Sequence, residues 1–204
     1  MKTKIKICGI TSCEQAISIA RFEVDYLGFI INFFRSPRNI SMEKVVEIVK
    51  QVKKINSKIK FVGVFVNQNL DFVKEAIFNC ELDVVQLHGN ESPFYCNSLG
   101  GNAEVWKAVV VKNLKDVNSS YRFKGFANKI VFDSGRGSGK EIHCDFLLGE
   151  DVDVLAGGIG LKNVCAIIKK INPKVIDMNS CLESSPGIKN IDLVEQVVNE
   201  IKKV

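Results

Sequence analysis

The chain is poor in most of the features that identify a protein by motif. It has only two histidines, and its seven cysteines, at 8, 13, 80, 96, 144, 165 and 181, include no C-x-x-C pair. That excludes the common zinc modules, so no metal is expected; an odd, scattered set is read as reduced thiols, mostly buried small apolar residues of a cytoplasmic protein. No apolar run approaches the roughly 18 residues of a membrane helix, and the opening "MKTKIKICGI" has no apolar stretch behind its basic residues, as a secretion signal would. The net charge of +5 is small and the lysines are dispersed. No basic block marks a nucleic-acid surface, and a small anionic ligand fits only weakly. The first turn, "CGITSC", lacks G-x-G-x-x-G, and "SGRGSGK" (134–140) fails the phosphate-loop pattern because Glu141 follows Lys140.

What is present is a repeating order of short apolar runs and amphipathic stretches. The 204 residues, 46% hydrophobic and 25% charged, suffice for one globular domain spanning 1–204. Strands are predicted at 4–8, 26–31, 60–66, 84–88, 104–111, 129–133, 153–157 and 174–178. Most are continuous apolar runs, the pattern of parallel strands covered on both faces. Helical spacing follows at 41–55, where Ser41 is a candidate N-cap before Val45, Val46, Ile48, Val49 and Val52, and again at 69–80 and 163–171. About eight strand-then-helix units predict an α/β fold, a single-domain (β/α)8 TIM barrel, with a doubly wound open sheet as the competitor.

In such a barrel the chemistry sits just after each strand, and phosphate commonly lies on the last two loops. Strand 1 ends in Cys8, expected at the barrel mouth, where a thiolate takes a proton from carbon; the alternative is a buried apolar cysteine. Strand 6 ends in Asp133, a carboxylate on the same face or simply a turn residue. After strand 2, Arg35 and Arg38 flank Pro37 and offer a guanidinium fork to a carboxylate or phosphate. His88 follows strand 4, and "SGRGSGK" after strand 6 reads as a loop covering the site. Gly157 and Gly158, and then Asp177, Asn179, Ser180 and Cys181, end the last two strands, where backbone N–H groups receive anions. "ESSPGIKN" (183–190) reads as the turn that launches a final helix.

The segments "KIKICGIT", "SPRNI", "FVGVFVNQ", "VVQLHGNES", "VFDSGRGSGK", "LAGGIGLKNV" and "IDMNSCLESSPGIKN" together resemble the phosphoribosylanthranilate isomerase family of tryptophan biosynthesis. The resemblance implies a TIM barrel that needs no cofactor. It implies an Amadori rearrangement of a phosphorylated aminoaldose to an aminoketose, with Asp133 as general acid and Cys8 as general base. Arg38 would hold the anthranilate carboxylate, the amides of Gly157, Gly158, Ser180 and Cys181 the phosphate, and Asp177 the substrate's hydroxyls or amine, with His88 secondary. No nucleic-acid or membrane partner is implied, and monomer and homodimer stay open. Cys181 stands where the family has glycine, which costs roughly 1–2 kcal/mol if that backbone is left-handed. The related isomerase of histidine biosynthesis uses two aspartates, against which Cys8 argues. A binding barrel without turnover would not need Cys8 and Asp133 together.

Overall fold

The computed structural model describes residues 2–135 and 144–204. The reading of 134–140 as a covering loop falls, from residue 136 onward, outside the described residues. Eight strands form the barrel: β1 (Lys4–Cys8), β2 (Tyr26–Ile31), β3 (Lys60–Phe65), β4 (Val84–Leu87), β5 (Glu104–Val110), β6 (Lys129–Asp133), β7 (Val154–Ala156) and β8 (Val175–Met178). Every neighbouring pair is parallel, and β1 closes the sheet by pairing with both β2 and β8. The expected strands are all present, those at 4–8, 26–31 and 129–133 with the expected bounds and the other five one or two residues shorter, so His88 and Gly157 have already left the ladder.

Alternation along each strand divides the core in two. Leu27, Phe29, Phe61, Phe65 and Ile176 face the helices, while Tyr26, Val62, Val84, Trp106, Val131, Val154 and Val175 fill the barrel. Tyr26 and Trp106 meet edge to face at 5.1 Å and plug its floor. The apolar volume is thus spent at the N-terminal end, and polar side chains gather at the other.

Around the barrel lie α1 (Cys13–Ile19), α2 (Met42–Ile55), α3 (Leu70–Asn79), α4 (Pro93–Asn97), α5 (Leu114–Ser120), α6 (Val164–Ile171) and α7 (Ile191–Lys202). In α2 the Ser41 side chain accepts from the Lys44 N–H, and Lys53 and Lys54 occupy the last turn, both favourable to the helix ends. Val45, Ile48, Val49 and Val52 are buried, each stabilising by about 1.5–3 kcal/mol. Val46, expected with them, is 38% exposed, because its position lies off the stripe that spacings of three and four define.

Two expectations need correcting. Among the described residues the sequence after β6 forms only a 3-10 turn, Cys144–Leu147, so seven α-helices accompany eight strands. The segment 183–190 is more than a launching turn: Glu183–Ser185 and Ile188–Lys189 pair as an antiparallel hairpin, closed at Gly187 with φ of 87°. Among the described residues no helix is long and apolar enough to cross a membrane.

Candidate active site

The C-terminal ends of the strands surround one cavity of about 460 Å³, whose wall includes Cys8, Arg38, His88, Asp133, Asp177 and the backbone of Gly157, Gly158, Ser180 and Cys181. These nine residues, with Arg35 and Asn179, which were also singled out from the sequence, therefore meet around one space. The volume lies in the range of small-molecule sites, roughly 300–1,000 Å³.

Cys8 is in the wall but only 5% exposed, so it lies inside the mouth rather than on it. Two residues earlier on β1, on the same face, Lys6 is completely buried and its ammonium donates to Asp177 Oδ2 at 2.7 Å. The two residues are register partners across β1 and β8, which is why the ion pair forms across the barrel seam. Gly28 of β2 provides the space: a Cβ there would lie 2.8 Å from the Cys8 sulfur and 3.1 Å from the Lys6 ammonium. Burial pushes the Cys8 thiol up, and the attraction of Lys6 offsets only part of this, so the net direction is upward. The downward shift that a resting thiolate requires is therefore not supplied by the protein alone. The second carboxylate oxygen of Asp177, Oδ1, is buried and has no hydrogen-bond partner among the described residues.

Asp133 ends β6, buried at 4% exposure, and its Oδ2 lies 2.9 Å from His88 Nε2. Gly135 N–H donates to the other oxygen at 3.3 Å. His88 Nδ1 lies 3.3 Å from the Gln86 amide nitrogen. A second network holds the loop carrying His88: buried Lys107 donates to Leu87 O at 3.1 Å, Gly89 O at 2.9 Å and Glu91 Oε2 at 3.1 Å.

The Arg38 fork is already engaged. Its Nε and Nη2 donate to the two Glu183 oxygens at 2.8 and 2.7 Å, and these hydrogen bonds raise the guanidinium's pKa above its ordinary value. Lys189, across the hairpin, donates to Glu183 Oε1 at 2.8 Å and Asn179 Oδ1 at 2.8 Å. Burial is the largest influence on Lys189 and lowers it. One buried carboxylate thus holds two cations, leaving the Arg38 Nη1 edge for a ligand. Gly9, at φ of 76°, lets Arg38 and Asn179 close over β1; a Cβ there would come within 2.8 Å of Arg38 and 2.6 Å of Asn179.

Gly157 has φ of 101° and faces Ser134 so closely that no side chain fits. Among the described residues, no loop backbone hydrogen bond uses the N–H of Gly157, Gly158, Ser180 or Cys181, and all four residues line the cavity. The glycines do not adjoin a helix start as expected. α6 begins at Val164, and Asn163 instead ties the loop by bonding Gly158 O and Gly160 N. Cys181 sits in a right-handed 3-10 turn, Ser180–Leu182, and is not among the positive-φ residues. The anticipated strain is absent: its side chain lies over Gly160, where an added Cβ would be 2.8 Å from the Cys181 Cβ.

Lys6, Gln86, Glu183 and Lys189 were not anticipated from sequence. Lys6 and Gln86 each precede a recognised strand-end residue by two positions, a spacing that places both on one face. No comparable signal marks the Glu183 and Lys189 pairing.

Residues 5–200 match the family described as N-(5'-phosphoribosyl)anthranilate (PRA) isomerase. The chain is 35% identical over 210 residues to the N-(5'-phosphoribosyl)anthranilate isomerase of Citrifermentans bemidjiense, covering 99% of this chain and 98% of that protein. The crystal structure of phosphoribosyl anthranilate isomerase from Thermotoga maritima superposes with a TM-score of 0.90 at 28% identity, covering 99% of this chain and 100% of that one. A solved phosphoribosyl anthranilate isomerase in complex with reduced 1-(o-carboxyphenylamino)-1-deoxyribulose 5-phosphate gives a TM-score of 0.85 at 28% identity over 99% and 100% of the two chains.

Proposed function

The chain belongs to the N-(5'-phosphoribosyl)anthranilate isomerase family, and from that premise we infer that it catalyses the Amadori rearrangement of N-(5'-phosphoribosyl)anthranilate in tryptophan biosynthesis by general acid/base catalysis. The observation that carries this reading is the meeting of Cys8 and Asp133, from β1 and β6, in the wall of one cavity that is also lined by Arg38, Gly157, Gly158, Ser180 and Cys181.

Asp133 is the acid. It protonates the ribose ring oxygen, the C1′–O bond breaks and a Schiff base forms. Cys8 is the base that removes the C2′ proton, giving the enolamine that becomes the ketone. A general acid must hold its proton and a general base must lose one, whereas an ordinary carboxyl near about 3.9 and a thiol near about 8.5 are each in the opposite state at neutral pH. Lys6, beside Cys8, is the cation that favours the thiolate against the cost of burial. The Arg38 Nη1 edge takes the anthranilate carboxylate while Glu183 fixes the guanidinium plane. The backbone N–H groups of Gly157, Gly158, Ser180 and Cys181 cradle the phosphate. Asp177 Oδ1, buried and without a hydrogen-bond partner among the described residues, accepts from a substrate hydroxyl or the amine. The ligand is a phosphorylated small molecule, no cofactor enters this chemistry, and cytoplasmic work belongs to the same reading.

Cys8→Ser and Asp133→Asn, followed by the loss of phosphoribosylanthranilate fluorescence, test the assignment. Each should lower kcat by about 10²–10⁴-fold, with the thermal melt close to that of the parent. A folded variant that retained near-parent kcat would remove its residue from the mechanism. Rescue of a tryptophan auxotroph lacking this step tests the activity itself.

A further inference from the structure

The assignment of Asp133 leaves a question: what keeps a proton on a carboxyl whose ordinary pKa is about 3.9? Among the described residues the carboxylate has an imidazole, His88, at 2.9 Å, a ring that carries a proton on either nitrogen or on both. We propose that Gln86 and His88 form a tautomer-guided relay in which His88 is the positioning residue that loads Asp133 with its proton. The proposal rests on Asp133 being the acid.

The geometry is a chain of three side chains, Gln86 amide to His88 Nδ1 at 3.3 Å and His88 Nε2 to Asp133 Oδ2 at 2.9 Å. Gln86 lies on β4, His88 follows the strand's last residue two positions later, and Asp133 reaches them from β6 across the β5 strand end. A further observation concerns Gln86 alone. Among the described residues its buried amide oxygen has no hydrogen-bond partner, and His88 is the hydrogen-bond partner of its amide nitrogen. Nothing else fixes which end of the amide faces the ring. The two ends are isosteric, and a half-turn exchanges donor for acceptor.

Proton bookkeeping gives the relay two states. Unloaded, the ring carries one proton on Nε2, donated to the Asp133 carboxylate, and the Gln86 nitrogen donates to Nδ1. Loaded, a second proton is present: Nδ1–H donates to the Gln86 oxygen, and the other proton lies between Nε2 and Asp133 Oδ2, where a short transfer makes the neutral acid. Breaking the Asp133 O–H bond and forming the ring O–H bond of the substrate leaves the carboxylate beside a ring whose one proton is on Nδ1; loss of that proton to solvent, uptake of one from solvent at Nε2 and a half-turn of the Gln86 amide restore the unloaded state. Cys8 meanwhile gains the C2′ proton, so the enzyme resets by passing one proton from thiol to relay through solvent. Among the described residues, the charged and titratable groups that line the same cavity are Cys8, Arg35, Arg38 and Asp177, and the Lys107–Glu91 pair lies behind the β4 loop.

The chain has only two histidines, His88 and His143, so the ring nitrogens are separable by 15N NMR on the full-length protein, with His143→Gln as the assignment control. At the acidic end of the activity range Nδ1 of His88 should be protonated, and at the alkaline end only Nε2. In Asp133→Asn the two-proton form should disappear at neutral pH. In kinetics, His88→Gln keeps a donor to Asp133 but cannot load it, so the alkaline fall in kcat should move down by about one pH unit or more. At pH 8 kcat should drop by about tenfold or more, with KM within threefold. Gln86→Glu, which accepts from Nδ1–H and favours the loaded state, should move that limb upward, a direction no loss of packing produces. An unmoved limb in both variants, or a His88 nitrogen pattern indifferent to Asp133→Asn, overturns the relay. If Asp133→Asn itself keeps near-parent kcat, the acid assignment fails and the relay with it; if Asp133→Asn is inactive while both limbs stay in place, the relay alone fails.

Discussion

Gly28→Ala provides a sharp test of how closely the base is held. Gly28 is not among the positive-φ residues, so alanine adopts its backbone without conformational penalty, and the effect is purely one of space. The new methyl would lie 2.8 Å from the Cys8 sulfur, 3.1 Å from the Lys6 ammonium and 3.2 Å from the Cys8 Cα. Ordinary contact requires about 3.5 Å. The sulfur must therefore withdraw by about 0.7 Å, and the paired β1 and β2 backbones cannot absorb this without breaking their register. Overpacking of this kind costs about 1–3 kcal/mol, which a domain of ordinary stability survives. Displacing a reacting atom by about 1 Å costs on the order of 10²-fold in rate. The variant should thus remain folded, with a modestly lowered melting temperature, and lose about two orders of magnitude in kcat in the fluorescence assay. A folded Gly28→Ala enzyme within threefold of the parent kcat would refute the view that Cys8 must sit where Gly28 lets it sit.

Two further predictions concern the carboxylate under Arg38. Glu183→Gln leaves the buried Lys189 and the Arg38 fork facing an amide, and breaking such a pair costs about 3 kcal/mol at the low end. For a chain of this size that is a melting temperature lower by about 6–12 °C; a change under about 2 °C would show that water or the neighbouring Asn179 compensates. The same carboxylate bears on acid stability. Burial pushes Glu183 up, but hydrogen bonds from Arg38 and Lys189 outweigh it and hold it below its ordinary range. A group depressed in the folded state contributes stability that is complete above its unfolded pKa, about 4.3, and is lost as pH falls through the folded value. Denaturant midpoints should therefore fall between about pH 4 and pH 2 more steeply in the parent than in Glu183→Gln; equal slopes would contradict it.

Much of the site was legible because a parallel barrel converts sequence position into spatial position. Cys8, His88, Asp133, Gly157 and Asp177 are the last residue of a strand or close to it, and closure of the sheet brings every strand end to one rim. The same logic could have found Lys6 and Gln86, each two residues earlier on an inward face. Both are polar residues inside otherwise apolar runs, and a buried polar side chain requires a partner.

The sequence by itself determined the strand and helix periodicities, the inward and outward faces, and the set of residues delivered to the C-terminal rim, since these follow from local dihedral geometry and burial of apolar faces. Only the tertiary structure decided which of those residues touch. Lys6 meets Asp177 because β1 pairs with β8 across a separation of 171 positions in the chain, and Arg38 meets Glu183 because the hairpin at 183–189 folds back over the rim. Such contacts are set by barrel closure and by directional pairing of charges in a desolvated space, and no local pattern encodes them.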